Sequence, residues 1–276
     1  MKINSYTLFG NKEQWSNSFA VIIRQHLSLY YQNDWELWVH VDDDLSDNAY
    51  CGVLKELHKA NLIKIFKVAN NGLEYQSRYK CMMMLWRMLP LWENTEYVFC
   101  RDLDSILTPR QLQCVRSFIL SGKTAHGIND NVSHNIPLMG GMCGFKTKAF
   151  REIFNVSFNE FIKDKYSSNY WEAHGADQNF LMQYVWPRVI GSSFIHVLDG
   201  PNERYHLKEV ATPINDINSE IKNKGDNFTN YIGAVGCSTP VKSYSNEEMI
   251  NFYNIYGNTE KCKLVTDIEN KLGWKP

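Results

Sequence analysis

Two aspartates, Asp102 and Asp104, stand one residue apart after the apolar segment of residues 96–100, EYVFC. A carboxylate is costly to bury without a partner, so a pair at the end of a buried strand is expected to hold something. Residues two apart in an extended chain point to the same side, which lets both carboxylates face one ligand while Arg101 points to the opposite face. Mg²⁺ and Mn²⁺ are typically held by one or two carboxylates plus substrate phosphates, so the pair predicts a divalent cation that binds a diphosphate. A helix-capping or salt-bridged pair stays open as the alternative.

A second pair with the same spacing, Asp42 and Asp44, follows the segment of residues 35–41. Three consecutive acids, 42–44, are more typical of a solvated loop, or of a single acid that contacts a nucleotide base or ribose. We therefore assign the metal to Asp102 and Asp104, and give Asp42 only a contact with a nucleotide.

The elements that must position these acids alternate between strands and helices. Period-two and period-3.6 hydrophobic patterns predict strands at 3–9, 35–41, 62–68, 96–100 and 192–198. Helices are predicted at 14–31, 47–59, 75–89, 109–121, 147–163 and 177–186, the last one stopped by Pro187. The segment of residues 126–135 is interpreted as an irregular polar loop. Such alternation predicts an α/β fold with a mostly parallel sheet flanked by helices, whose ligands bind beyond the carboxyl ends of the strands.

The composition restricts the class of protein. The 276 residues include 29 Lys plus Arg against 30 Asp plus Glu, which gives no electrostatic case for binding nucleic acid. Seven cysteines are present with no C-x-x-C spacing, so the usual zinc and thioredoxin-like patterns are missing and a reducing compartment is expected. No signal peptide or apolar span of about 18 residues is evident, so we expect a soluble, cytoplasmic protein without a transmembrane segment. We expect one domain over 1–276, divided into a nucleotide-binding half (1–105), a donor-sugar and acceptor half (106–200) and a C-terminal extension (201–276).

Several ordered motifs resemble one known family. The segments MLWRMLPLWENTEYVFCRDLDSILTPRQ (84–111), SGKTAHGINDNVSHNIPLMGGMCGFK (121–146) and GADQNFL (175–181) follow the pattern W-R-x-L-P, R-D-x-D-S, G-G-M-x-G and D-Q-x-F-L. This order resembles a subgroup of the nucleotide-sugar-dependent glycosyltransferases with a GT-A (Rossmann-type) fold and a D-x-D metal motif. The openings YTLFGN (6–11) and WELWVHVDDD (35–44) fit the same subgroup.

The resemblance implies a set of site residues. Asp102 and Asp104 would bind Mn²⁺ or Mg²⁺ and, through it, the diphosphate, and His196 is the candidate for a third metal ligand. Asp177 would hydrogen-bond the sugar or deprotonate the acceptor hydroxyl, with Asp130 and His134 as rivals for the role of base. The donor is expected to be bound by the metal-binding pair together with Phe9, Gly10, Asp42, Arg87, Arg101, Leu103, Gly140, Gly141 and Gln178. The chain departs from the subgroup at Gln111, Asn129 and Cys143, where Glu, Arg and Trp are usual.

These patterns predict a metal-dependent glycosyltransferase that moves a hexosyl or pentosyl group from a nucleoside diphosphate donor, expected to be a UDP-sugar, onto a hydroxyl of a glycan or another acceptor. A nucleotidyltransferase that makes nucleotide sugars is one alternative, although FGNKEQW (9–15) lacks the Gly-rich basic loop common after the first strand of such enzymes. A non-catalytic carbohydrate-binding protein is the other, because 8 Trp and 15 Tyr offer aromatic platforms for sugars.

Overall fold

The computed structural model describes most of the chain up to residue 197 and a C-terminal helix. The described residues are 1–9, 13–30, 34–42, 50–68, 80–103, 105, 107, 109–129, 136–163, 171, 173, 175–197, 211–213 and 260–274. Within helices and strands, the side chains of residues 13–18, 80, 81, 109, 110 and 211–213 are not among those described.

The described residues form an eight-stranded sheet with the order β3-β2-β1-β4-β6-β5-β7-β8. Every neighbouring pair is parallel except the two that involve β6, which runs antiparallel to β4 and to β5. The strands are β1 (Lys2–Leu8), β2 (Trp35–Val41), β3 (Lys64–Lys67), β4 (Tyr97–Cys100), β5 (Ala125–Asn129), β6 (Cys143–Lys146), β7 (Ser193–Val197) and β8 (Ala211–Pro213). The predicted α/β class, with a mostly parallel sheet flanked by helices, is confirmed.

The helices cover both faces of this sheet. They are α1 (Glu13–Leu29), α2 (Cys51–Lys59), α3 (Lys80–Met83), α4 (Pro109–Ser121), α5 (Thr147–Ile153), α6 (Phe158–Lys163), α7 (Ala176–Phe180), α8 (Trp186–Val189) and α9 (Glu260–Lys271). A 3₁₀ helix, Met84–Trp92, continues α3, and a π-helical turn, Leu181–Val185, joins α7 to α8.

Two hydrophobic cores lie on opposite faces of the sheet. One contains Phe99 of β4 together with residues of α1, α2, α4 and α9. The other contains Val98 and Cys100 of the same strand together with residues of the 3₁₀ helix and of α5 to α8. Side chains of a strand alternate between faces, so β4 supplies one core with Tyr97 and Phe99 and the other with Val98 and Cys100.

Several predictions from the sequence are wrong in detail. The predicted polar loop 126–135 begins inside β5: residues 125–129 form this strand, and all five of them are buried. The predicted helix 147–163 is two helices, α5 and α6. Pro187 does not stop the helical segment, which continues to Val189. We attribute this to the π-helical turn before Pro187. The regular α-helical hydrogen bonds are already interrupted in that turn, so the missing backbone N–H of Pro187 costs less there.

None of the helices in the described part of the chain combines the length and the hydrophobicity needed to cross a lipid bilayer.

Candidate active site

The site lies at the carboxyl edge of the sheet, where β4 ends. Strand β1 pairs with β2 on one side and with β4 on the other, so the connections leave the sheet in different directions at this point. A crevice at such a switch point is where open α/β sheets bind ligands. Asp102 begins the loop after β4, and the side chain is about one-third exposed (34%). A carboxylate of this kind remains accessible to a ligand.

Arg87 joins two carboxylates that are far apart in sequence. The guanidinium donates from Nη1 to Oδ1 of Asp102 and from Nη2 to Oδ2 of Asp177, the second contact at 2.7 Å. The side chains of Arg87 and Asp177 are only 3% and 7% exposed, so this is a buried ion-pair cluster with one open side at Asp102. A planar guanidinium with five donors suits this bridging role, because its N–H groups diverge at fixed angles.

The local structure holds each partner of the cluster. Arg87 lies within the 3₁₀ helix, which packs on β1 and β4 and turns six of its residues into the core, Arg87 among them. Asp177 lies in the first turn of α7, where the backbone N–H groups of Asp177 and Gln178 favour the charged carboxylate and oppose the rise of its pKa. It is not the N-cap, since Gly175 precedes the helix with a φ of 79°. The carboxylate of Asp177 is therefore held by Arg87 and does not cap the helix.

The cluster has more negative than positive charge. One guanidinium serves two carboxylates, and burial raises the pKa of Asp177, which the nearby charge of Asp102 raises further while Arg87 opposes the shift. Burial alone would lower the pKa of Arg87, but Asp102 and Asp177 outweigh it and hold the pKa above its ordinary value. Arg87 therefore stays charged, and the remaining negative charge favours the arrival of a cation or a proton at this site.

Two glycines fill the space against the cluster. A Cβ on Gly141 would lie 1.8 Å from Oδ2 of Asp102. A Cβ on Gly140 would lie 2.3 Å from Nη2 of Arg87 and 2.6 Å from Oδ2 of Asp177. No side chain larger than hydrogen fits at either position unless the charged groups move. The backbone of the G-G-M-x-G motif thus packs directly against the ion-pair cluster.

The residues on either side of Asp102 point elsewhere. The guanidinium carbon of Arg101 lies 5.4 Å from the centre of the Phe99 ring, on the face of the sheet covered by α1 and α4. Arg101 is 2% exposed, and its three guanidinium nitrogens have no hydrogen-bond partner among the described residues. Leu103 is buried in the same core. The alternation expected for this segment is observed, and it separates Arg101 from the Arg87 cluster.

Three other predicted donor contacts lie in the described part of the chain. Phe9 follows β1 and packs edge-on against Trp86, the residue before Arg87, at a centroid distance of 6.5 Å. Asp42 is buried directly after β2, also at the carboxyl edge. Gln178 is partly buried in α7, next to Asp177.

His196, the predicted third metal ligand, lies on the other side of the sheet from Asp102. Its Nδ1 is 3.0 Å from Nε2 of His126, and the ring of His126 stacks on Phe118 of α4. Burial, together with the charges of His196 and Arg101, lowers the pKa of His126 well below its usual value. In the described residues, no group of three or more His, Cys, Asp or Glu side chains is placed to hold a metal ion. Metal ligation by His196 stays a prediction, and this geometry does not favour it.

The remaining predicted site residues, Gly10, Asp104, Asp130 and His134, lie outside the described residues. The direct bridge from Asp102 through Arg87 to Asp177 was not predicted from the sequence. Asp102 and Asp177 are 75 positions apart, and only the W-R motif marked Arg87 as a candidate for the site.

No family model and no curated protein matches the chain. Among solved structures, a fragment of S. aureus TarS is similar at 13% identity, with 72% of this chain and 58% of that chain covered and a TM-score of 0.46. The same fragment in complex with UDP is similar at 14% identity, with 72% of this chain and 58% of that chain covered and a TM-score of 0.44. A longer TarS structure is similar at 13% identity, with 99% of this chain and 52% of that chain covered and a TM-score of 0.45. The chain therefore spans little more than half the length of these structures.

Proposed function

We propose that this chain is a metal-dependent glycosyltransferase that transfers a sugar from a nucleoside diphosphate donor to a hydroxyl group. The single observation that supports this most is the Arg87 cluster, in which a partly exposed and a buried carboxylate meet one guanidinium at the carboxyl edge of the sheet. The cluster brings together residues of the W-R, R-D-x-D, G-G-M and D-Q motifs, which are distant in sequence. That convergence is expected of one binding site.

The described residues fit a divalent cation at Asp102. Oδ1 of Asp102 is engaged by Arg87, whereas Oδ2 accepts no hydrogen bond from a described residue and lies against Gly141. One such carboxylate oxygen, with Asp104 as the neighbouring candidate, matches the preference of Mg²⁺ and Mn²⁺ for one or two carboxylates plus phosphate oxygens. When bound, the ion would stabilise the charge of the departing diphosphate.

The residues of the chain would position the reacting groups. Arg87 holds the carboxylates of Asp102 and Asp177 in a fixed relation, and Gly140 and Gly141 pack against both without a side chain that would displace them. Asp177, with its raised pKa, would accept a hydrogen bond from a sugar hydroxyl or take the proton of the acceptor. Asp130 and His134 stay candidates for the same proton.

We propose a UDP-sugar as the donor, on the family resemblance of the motifs. TarS structures are known in complex with UDP and with UDP-GlcNAc. The assignment of the donor rests on the motifs and not on this likeness, which has TM-scores below 0.5 and 13–14% identity. The acceptor is proposed as a glycan or another hydroxyl compound.

A panel of nucleoside diphosphate sugars tests the proposal. Hydrolysis or transfer should release the nucleoside diphosphate in Mn²⁺ or Mg²⁺, stop in EDTA and return when the metal is added back. Release of pyrophosphate from a nucleoside triphosphate and a sugar phosphate would instead indicate a nucleotidyltransferase. Binding of saccharides without any metal-dependent nucleotide affinity would indicate a carbohydrate-binding protein. Full activity in chelator would contradict the role given to Asp102 and Asp104.

A further inference from the structure

Two buried cysteines face each other across the antiparallel pair β4–β6. The register pairs Tyr97 with Lys146, Val98 with Phe145 and Phe99 with Gly144, so the next pair is Cys100 with Cys143. Both thiols are free and buried. Directly opposed residues of antiparallel strands have Cα atoms about 4.5 to 5.5 Å apart. That spacing falls within the range of about 4.4 to 6.8 Å found in disulfides.

The candidate active site lies just beyond the end of this ladder. Two residues beyond Cys100 is Asp102, and two residues before Cys143 is Gly141, where an added Cβ would lie 1.8 Å from Oδ2 of Asp102. Residues two apart on a strand point to the same face. Cys100 and Cys143 also belong to the same hydrophobic core, which packs on the 3₁₀ helix that carries Arg87, so both thiols lie on the face of the sheet that holds Asp102.

Each thiol also contacts the backbone of a site residue. Sγ of Cys100 donates to the carbonyl oxygen of Arg87 at 3.6 Å, and Sγ of Cys143 donates to the carbonyl oxygen of Gly140 at 3.7 Å. A disulfide has no S–H group, so its formation would remove both hydrogen bonds. It would also fix the distance between β4 and β6 close to Asp102 and Gly141, where no free space is left between the carboxylate and the backbone.

We propose that Cys100 and Cys143 are a reversible oxidation site, and that closure to a disulfide slows the reaction at the adjoining Arg87 cluster. The oxidant is a peroxide, which is small enough to enter a packed core during local opening. One cysteine sulfur attacks a peroxide oxygen, which gives a sulfenic acid and releases water or an alcohol. The second sulfur then attacks the first and releases water. Two thiols lose two electrons and two protons in total, and the peroxide is reduced.

The cross-link is tested by mass spectrometry, without an activity assay. The native protein is incubated with hydrogen peroxide, alkylated after unfolding, digested and analysed by mass spectrometry. We expect the mass of the protein to fall by about 2 Da, as for the formation of one disulfide. Digestion should give a peptide that joins Cys100 to Cys143, and dithiothreitol should reverse the change fully. Cys100→Ser and Cys143→Ser should each lose this product. Cys114→Ser is the matched control, since Cys114 is a buried cysteine of α4 in a separate hydrophobic cluster, and it should cross-link like the wild type.

The effect on the site rests on the proposed function and is measured separately. Transfer from the nucleotide sugar should fall at least tenfold in the cross-linked protein and recover on reduction, whereas Cys143→Ser should keep its own rate after peroxide treatment. The proposal is overturned if native protein keeps both thiols after long incubation, if only unfolded protein cross-links, or if peroxide adds oxygen without joining the two peptides. A cross-link in a protein that transfers no sugar would instead count against the proposed function and leave the oxidation site standing. A cross-linked protein with an unchanged rate would overturn the coupling.

Discussion

Two buried arginines of this molecule use the same chemistry for different purposes. Arg24 of α1 donates to both carboxylate oxygens of Glu269 on α9, and the hydroxyl of Tyr50 donates to the same carboxylate at 2.7 Å. Arg87 instead shares one guanidinium between Asp102 and Asp177. The Arg24 pair is buried on both sides (8% and 5% exposed), whereas Asp102 is 34% exposed. The first has matched charges and is closed to solvent; the second has excess negative charge and one open side.

This difference separates a structural contact from a candidate reactive one. The Arg24 pair connects helices from opposite ends of the sequence, and Trp274 adds an edge-on contact with Tyr50 at 4.5 Å. A fully paired buried ion has nothing left to offer a ligand. Buried pairs of this kind are costly to break from one side, because the remaining charge is left without a partner. The Arg87 cluster has two carboxylates for one guanidinium, and this excess of negative charge is expected of a site that binds a cation or moves a proton.

The largest expected effect is on the rate, from Asp177→Asn. The variant keeps a hydrogen-bonding side chain of the same size but cannot hold a negative charge or take a proton. We expect transfer to fall by roughly 10²- to 10⁴-fold, which is the usual contribution of a positioned acid or base. Steady-state kinetics with the identified donor measure this, with the thermal melting temperature as the control for folding. A loss of only twofold would leave Asp177 with a structural role alone.

Glu269→Gln should show the opposite profile. Removal of the charge leaves Arg24 buried without a counter-ion, so we expect the free energy of unfolding to fall by about 3–5 kcal/mol. Urea unfolding measures this, and the rate per folded molecule should stay near that of the wild type. Glu56→Gln is the matched control, since Glu56 pairs with Lys59 on the exposed surface of α2, and its unfolding curve should overlay that of the wild type.

Acid should act on the fold through buried histidines. Burial lowers the pKa of His26 to about 3. It also lowers the pKa of His40 to about 4, although a hydrogen bond to the carbonyl oxygen of Tyr6 opposes the shift. Because both values lie below that of an exposed histidine, the unfolded chain binds more protons between about pH 6.5 and the folded pKa values. Stability should be complete above that window and fall by up to about 1.4 kcal/mol per pH unit for each histidine within it.

The pH dependence of the rate should differ from that of stability. The raised pKa of Asp177 means that its carboxylate is lost at a higher pH than an ordinary aspartate, so the rate should decline while the protein is still folded. Circular dichroism and transfer assays over the same pH series check both expectations. His26→Gln should reduce the loss of stability in acid and leave the pH profile of the rate unchanged. If stability and rate fell together over the same pH range, separate titrating groups for the two would be contradicted.

The smallest effects are expected from substitutions of two glycines. One glycine packs against the Arg87 cluster, and the other has open space beside it. Gly141→Ala places a methyl group against Oδ2 of Asp102, so we expect roughly a tenfold loss of rate or more, by displacement of the carboxylate. Gly191→Ala meets no atom within 4 Å and should leave rate and stability almost unchanged. Equal behaviour of the two variants would show that the backbone of Gly141 does not need to approach the cluster.

The sequence by itself determined the fold class, and it placed Asp102 directly after a buried strand, where the structure has it. Alternating strand and helix patterns predicted the parallel strands, and β2 occupies the predicted residues 35–41. Strand alternation also separated Asp102 from Arg101 and Leu103. These features depend on local periodicity, which neighbouring residues encode directly.

Only the tertiary structure decided which charged groups meet. Strands β5 and β6 were missed, because their burial comes from a sheet position between β4 and β7 and not from a strong local pattern. The pairings of Arg87 with Asp177, Arg24 with Glu269 and His126 with His196 join residues 70 or more positions apart. Such contacts depend on the packing of whole elements, and no local pattern specifies them. For the same reason, the difference between a closed structural ion pair and an open, charge-imbalanced cluster was visible only after the chain had folded.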